Sequence, residues 1–386
     1  MISLCNIQNR EIVVFGTGLN AAKCTYYLKN KGISVKHYLN NYKSIDSFMG
    51  RSVYDLKEHI YKDIYVLVAV GDISAYITIS NQLQSLGMQE FSDYLYYGWL
   101  NKSIVLLHGN CHMVIIKNYL ESSKKFGEQY AIYPNPTICE NKKRKIDNVV
   151  LRNCDVWIHE DIQRNNGYGY YLSDEFLRET ISKNPQVREI IVPHLFGLGK
   201  AFFPQSDINK RNPAISNGKD HNGMFPHADT VIDRCIECEM SVNDIVLFCK
   251  SGNALNRDDI IKNFEFYMGR IKEREQAWDI KIYDFILLNY KKAKLFYDIG
   301  HPSNIILEKI SHEILQKLGI YENELFSDET LDYHESPVYP EVSKYLNLEW
   351  KEDYIRESLF AKKMGDKMDF EGYIKEYLMW CYDRGE

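Results

Sequence analysis

Twice in its N-terminal third the chain runs from an unbroken apolar strand through a glycine turn into a helix. Glu11-Ile12-Val13-Val14-Phe15 leads into Gly16-Thr17-Gly18 and a helix-compatible run through Lys29. Ile104-Val105-Leu106-Leu107 leads into His108-Gly109-Asn110-Cys111-His112 and a run of helical periodicity from Met113 to Leu120. A strand apolar on both faces has to be covered on both, and the helix that follows it is the usual cover. The repeated pattern predicts parallel sheets and an α/β fold.

The rest of the chain extends that reading. Ser34–Leu39 and Tyr65–Val70 are further strands of the first unit, and a helix runs through Ser85 to a stop at Gly87. In the second unit the strand candidates are Val156–Ile158, Glu189–Val192 and Lys281–Asp284. Helical stretches are expected near Asp174–Ser182, Asp229–Glu239, Asp258–Trp278 and Ser303–Leu318. Residues 205–225, rich in Asn, Pro, Gly and Lys, read as a long loop, and long loops inside compact domains are often functional. Beyond Ser327 the pattern changes: Tyr333–Glu349 is turn-rich, while Asp353–Lys363 and Phe370–Trp380 look helical. The expected domains are 1–100, 101–325, and a helical C-terminal appendage, 326–386, packed on the second.

Composition narrows the function classes. The chain has 386 residues, of which 13% are aromatic and 26% charged, too much aromatic surface for a disordered chain. Lys plus Arg is 47 and Asp plus Glu 53, for a net charge of -6. That balance argues against a nucleic-acid binder. The one dense basic run, Lys142-Lys143-Arg144-Lys145, reads either as a solvated loop or as a phosphate-facing patch. No apolar run is long enough to span a bilayer. The first ten residues lack the apolar stretch of a signal peptide. The nine cysteines are odd in number and scattered, which predicts reduced thiols and a cytoplasmic chain, peripheral at most to a membrane assembly.

Two turns are candidates for chemistry. Gly16-x-Gly18-x-x-Ala21 has the strand-turn-helix context of a phosphate-binding loop, where helix N–H groups face an anion. A nicotinamide dinucleotide site would also need an acid at the end of the second strand, and that place reads Leu39-Asn40-Asn41. The turn serves either a nucleotide-like ligand or the fold alone. Residues 10–98 resemble the small Rossmann-like domain found beside many bacterial sugar-modifying enzymes, with Asn40 in place of the usual Asp.

The second turn places Cys111 at the carboxyl edge of a strand and the start of a helix, where the helix N-terminus favours a thiolate or an oxyanion. Far downstream, Asp298-Ile299-Gly300-His301-Pro302-Ser303 puts an acid three residues before a histidine, the spacing at which a carboxylate orients an imidazole as base. Cys111, His301 and Asp298 form a candidate nucleophile, base and orienter. The order is that of the SGNH hydrolases, with Asn110-Cys111 in place of Asp-Ser. Asn110 and the backbone N–H groups of Cys111 and His112 are candidate oxyanion donors, and His112 is alternatively a second acid–base group. Equally, a cysteine in such a place is often a small core residue and a His-Pro pair a helix start. Cys235-Ile236-Glu237-Cys238, with His221 and His227 upstream, falls in an expected helix and is not read as a zinc site.

Several segments together resemble one known family. They are His108–His112, Trp157–Ile162, Ile191–Phe196, Phe202–Gln205, Phe225–Asp229, His301-Pro302-Ser303 and Pro340-Glu341-Val342 with Leu346. Over residues 103–350 their order is similar to that of the WcbI-type polysaccharide-biosynthesis family of bacterial capsule loci, although His112 replaces the usual Gln. The resemblance implies a coenzyme A-binding O-acetyltransferase acting on a capsule sugar, with acetyl-CoA as donor and a saccharide or nucleotide-sugar as acceptor; from the cysteine pattern above, no metal is expected. The candidate cofactor contacts are Gly109, His159, His194, Lys200, Phe202 and Arg144, with Gly16 and Gly18 in the first domain; His159 and His194 read equally as satisfied structural histidines, and Phe202 as a core residue. An SGNH-like esterase or deacetylase, or a CoA- or nucleotide-binding module without turnover, are the alternatives. The acceptor sugar, the acyl group and the oligomeric state, a homo-oligomer included, stay open.

Overall fold

The computed structural model describes residues 7–382 except 8, 43, 58–62, 141–144, 166, 208, 210–224, 333, 351–354 and 357–366. The fold is α/β with two sheets of largely parallel strands and a helical C-terminal part. The first sheet has strands β1 (Glu11–Phe15), β2 (Val35–Asn40), β3 (Ser47–Phe48), β4 (Arg51–Asp55), β5 (Ile64–Val68) and β6 (Tyr94–Tyr96), in the order β3-β4-β2-β1-β5-β6. Only the β3–β4 edge pair is antiparallel. The second sheet has β7 (Ser103–His108), β8 (Tyr130–Ile132), β9 (Val156–Glu160) and β10 (Arg188–Val192), in the order β10-β9-β7-β8. In both sheets the expected apolar strand is central, and β5, β7 and β9 are buried along almost their whole length.

By internal contacts the chain divides into two compact units. One comprises Met1–His108 with Ser123–Ile190, and the other Gly109–Ser122 with Ile191–Glu386. Within the first unit both sheets share one core, running from Val13, Val66 and Leu67 to Leu106 and Trp157. Glu90 is buried there between the hydroxyls of Tyr76 and Tyr133, which donate to its two oxygens. Burial pushes the Glu90 carboxyl above its ordinary value, and the two tyrosine hydrogen bonds draw it partly back.

The second unit is largely helical. His112–Ser122 packs on Asn304–Lys317. Around them lie Thr230–Glu237, Val242–Lys250, Arg257–Arg274, Tyr283–Asn289, Pro340–Tyr345 and the C-terminal Phe370–Tyr382. No helix of the described residues is long and apolar enough to cross a membrane.

Two sequence expectations need correction. Lys281–Asp284 is not a strand: the helix Tyr283–Asn289 begins inside it. Ile280 and Ile282 alternate inward as a strand would place them. The Glu275 carboxylate, however, accepts from the N–H groups of Ile282 and Tyr283 (3.1 and 3.0 Å) and so caps a helix start. Ile355–Arg356, expected in a helix over Asp353–Lys363, is a two-residue strand paired antiparallel with Lys367–Met368. The remainder of that stretch, and most of the loop 205–225, lies outside the described residues.

One carboxylate ties the C-terminal helix to the unit. Asp229 is buried and caps Thr230–Glu237 through the N–H groups of Val231 and Ile232 (3.0 and 3.1 Å). It also accepts from the hydroxyls of Tyr339 (2.9 Å) and Tyr373 (3.3 Å), and its own N–H donates to Tyr377. Burial pushes its carboxyl up to about 6, against the pull of the Ile232 N–H and the Tyr339 hydroxyl. Asp229→Ala removes the cap and orphans two buried hydroxyls, so it should lower stability by about 2–4 kcal/mol in urea unfolding. Asp229→Asn keeps an acceptor and should lose less.

Candidate functional site

The turn after β7 closes by two short bonds, Met113 N–H to Asn110 O and Val114 N–H to Cys111 O, both 3.0 Å. They start the helix His112–Ser122 directly under Cys111. Its inner face, Met113, Ile115, Ile116, Tyr119 and Leu120, is buried. Cys111 itself is partly exposed, whereas Cys24, Cys154, Cys235, Cys249 and Cys381 are buried. All the described cysteines are free thiols.

Asp298 is completely buried, and its two oxygens take four hydrogen bonds. Oδ1 accepts from the N–H groups of Gly300 (2.6 Å) and His301 (2.7 Å). Oδ2 accepts from Nδ1 of His301 (2.7 Å) and Nδ1 of His334 (3.3 Å). With Nδ1 of His301 held, Nε2 is the ring nitrogen left for the hydrogen bond between His301 and Cys111. The structure therefore brings the expected nucleophile, base and orienter together in one unit.

Electrostatics fit that order. Burial alone would raise the Asp298 carboxyl, but the charge and hydrogen bond of His301, helped by His334, hold it well below the ordinary range. Burial alone would lower His301, but the Asp298 charge and hydrogen bond, with the contact to Cys111, hold it well above. The pair is an imidazolium–carboxylate, Asp298 buried and His301 partly so, with the Cys111 sulfur on its outer nitrogen.

Three further contacts fix the loop. His112, buried, donates from Nε2 to the Gly300 carbonyl (2.9 Å). Gly197 and Gly199 donate their N–H groups to the Ile299 carbonyl (2.9 and 3.3 Å). A Cβ on Gly199 would fall 2.1 Å from the Asp298 carbonyl oxygen, so only glycine allows this approach. Asn110 reaches His194, Nδ2 to Nδ1, at 3.3 Å. His112 thus acts on the loop through a backbone carbonyl, and His194 meets the turn through Asn110, the residue before Cys111.

Other expected site residues are placed differently. His159 is buried with Nε2 on Glu189 (3.0 Å) and Nδ1 on Asp174 (3.1 Å) and the Glu160 carbonyl (3.0 Å), its ring stacked on Trp157. Burial would lower it, but the two carboxylates raise it to about 9. Both nitrogens are engaged within the protein, the arrangement of the satisfied structural histidine that the sequence equally allowed. Gly16 has φ +117°, and a Cβ there would meet Ala69 O at 2.9 Å. Gly18 precedes Leu19–Asn30, and Asn40 donates to the Thr17 hydroxyl (3.1 Å) where a ribose-binding acid would stand. Lys200 pairs with Asp207 (2.6 Å), and Phe202 packs among Phe203, Phe264, Tyr290 and Phe296. Arg144 lies outside the described residues, as do Lys142 and Lys143. Among the described residues no group of three His, Cys, Asp or Glu side chains is arranged to hold a metal.

Sequence reasoning missed His334 and gave His227 no place in the site. His227 donates from Nδ1 to the Asp207 carbonyl (3.0 Å), and burial lowers it to about 4 against the charge of Asp298. His334 falls in the turn-rich stretch taken for an appendage, and Asp332-Tyr333-His334-Glu335 has no spacing that marks a site.

The pH dependence follows from these shifts. His301, raised in the fold, stabilises fully below its ordinary value of 6.5 and loses that contribution as pH rises through the folded value. Asp298, lowered in the fold, stabilises fully above its ordinary 3.8 and loses it as pH falls through the folded value. Both contributions are complete between those two ordinary values. There Asp298→Asn should cost about 2–3 kcal/mol in denaturant titrations, and the loss should shrink toward strongly acid or alkaline pH.

A family model described as "Polysaccharide biosynthesis enzyme WcbI" matches residues 104–323, more than half of the chain. A solved structure of WcbI, described as a novel polysaccharide biosynthesis enzyme, is similar to this chain with a TM-score of 0.58 and 17% identity. The match covers 74% of this chain and 91% of that one. That structure is described as the native protein without a disulfide bond between coenzyme A and one of its cysteines. At this identity the likeness shows the fold. No curated protein matches the chain. On the family match, the chain belongs to the WcbI family of polysaccharide biosynthesis enzymes.

Proposed function

We propose that the protein is a coenzyme A-binding O-acetyltransferase that moves an acetyl group from acetyl-CoA to a sugar hydroxyl during synthesis of a capsular or other surface polysaccharide in the cytoplasm. The observation that carries this reading is the chain of contacts from Cys111 to His301 to Asp298. The solved WcbI structure adds support, since its description names coenzyme A together with one of its cysteines, without a disulfide bond between them. Cys111 is the described thiol that lies beside His301.

In the first half of the reaction the Cys111 thiolate, paired with the protonated His301, attacks the thioester carbonyl. The coenzyme A thiolate leaves with the proton from His301, and the acetyl group stays on Cys111. In the second half the sugar hydroxyl gives its proton to His301 Nε2 and attacks the acetyl carbon. The Cys111 sulfur leaves as the thiolate and pairs again with the protonated His301. Asp298 holds one tautomer of His301 and balances its charge in both halves. Oxyanion charge develops at the N-terminal turn of His112–Ser122, near the backbone N–H groups of Cys111 and His112 and the Asn110 amide. Gly109 and His194 border the same turn and are proposed donor contacts.

Cys111→Ala and His301→Ala should each lower acetyl transfer by about 10²- to 10⁴-fold while coenzyme A binding by calorimetry stays. Mass spectrometry after brief exposure to acetyl-CoA should find one acetyl group on Cys111. Full turnover in both variants would remove the site from the reaction. The same three side chains would serve water as acceptor, so rapid acetyl release from acetyl-CoA or acetyl esters without a sugar would favour the hydrolase reading instead.

A further inference from the structure

The unit that holds Cys111 and His301 also holds an open groove of about 440 Å³ that the proposed transfer steps do not use. Its wall begins at Lys200. That residue follows Gly199, whose backbone is pressed against Asp298 and Ile299, and one residue advances the chain by only about 3.8 Å. One wall of the groove therefore belongs to the segment that packs on the loop carrying His301.

The lining has a repeated element. Asp259, Asn263 and Tyr267 all line the groove and lie on the helix Arg257–Arg274 at intervals of four residues. Four residues rise about 6 Å, so the three polar side chains form one stripe at roughly the spacing of successive sugar rings. The Asp259 carboxylate and the Tyr267 hydroxyl hydrogen-bond to no described residue. Asn263 donates once, to the Lys200 carbonyl (2.6 Å). Thr230 stands at another wall, and buried Phe203 and Ile260 make an apolar floor.

The charge of this lining does not suit a polyanion. Its described cation, Lys200, is already paired with Asp207 at 2.6 Å. The other charged lining group, Asp259, is negative. A phosphate-bearing donor would meet a carboxylate and a spent ammonium. A neutral polyol fits better: a carboxylate accepts from neighbouring hydroxyls, an amide both donates and accepts, and aromatic and aliphatic faces cover the C–H side of a ring.

We propose that this groove is the acceptor subsite, binding a neutral pyranose or short oligosaccharide along the Asp259–Asn263–Tyr267 stripe. What becomes of the bound sugar rests on the transferase reading above; the binding itself does not.

The test uses the full-length protein, with methyl glycosides of glucose, galactose and mannose and their linear trisaccharides as probes. Saturation-transfer NMR and calorimetry are run on the wild type, Asp259→Ala and Tyr267→Ala, with coenzyme A titrated separately. Asp259 is exposed and Tyr267 half-buried, so both variants keep their core. At least one probe should bind the wild type in the millimolar range. Either substitution should weaken it about tenfold and leave coenzyme A affinity within about twofold. Absence of binding by every probe, or equal binding by both variants, overturns the proposal. Loss of coenzyme A affinity in the variants also overturns it and assigns the groove to the donor. If sugars bind as expected but the wild type moves no acetyl group, the transferase reading fails and the subsite stands.

Discussion

Burying a carboxylate without partners costs more than a fold of this size can spare, so Asp298 dictates much of what surrounds it. Two of its four hydrogen bonds come from its own loop, through Gly300 and His301 N–H, and this curls the chain back on the carboxylate. The other two are imidazole bonds, from His301 and from His334, thirty-six residues downstream. The loop so formed needs glycine where another backbone meets it, at Gly199, and a donor for its Gly300 carbonyl, which His112 supplies. His112 immediately follows Cys111. The bond that holds the loop in place is therefore one residue from the sulfur that the loop's histidine contacts.

The same carboxylate separates the histidines by charge. His301, in full contact with Asp298, is held as the cation, whereas His227, buried on a carbonyl, is held neutral with its value near 4. Identical side chains in one unit therefore have opposite protonation at neutral pH. The difference is set by which of them has the carboxylate as a hydrogen-bond partner.

What was legible from sequence was whatever depends on local pattern. The apolar strands β1, β5, β7 and β9 and the helices after them follow from runs of like residues, and the turns at Gly16 and Gly109 from glycine. The grouping of Cys111, His301 and Asp298 was expected because strand-turn-helix context and an i, i+3 acid–histidine spacing are both visible in one dimension, and the three side chains do touch. The parts that were not legible depend on contacts across long separations. The capping of Tyr283 by Glu275 overrode a strand-like alternation. His334 reaches Asp298 from a stretch without periodicity. His159, beside the apolar Val156–Ile158, had the look of a strand-end ligand residue, but Asp174 and Glu189 enclose it. The Asp259–Asn263–Tyr267 stripe was hidden for a different reason: polar residues at helical spacing are the ordinary mark of a solvated face, and only the walls opposite make it a groove.

A thiol in place of the serine hydroxyl common in this arrangement changes the energetics of the proposed transfer. An acetyl group on serine would be an ordinary ester, no more activated than the sugar ester to be made. An acetyl group on Cys111 remains a thioester, so the first step exchanges one thioester for another and the second runs downhill to the ester. The raised His301 suits this sequence. It stays protonated while the coenzyme A thiolate needs a proton, and it loses that proton readily only when the thiolate of Cys111 no longer lies against it. The acylated sulfur carries no negative charge, so acylation itself removes one of the contacts that raise His301. The base is thus made more available in the half-reaction that must deprotonate a sugar hydroxyl.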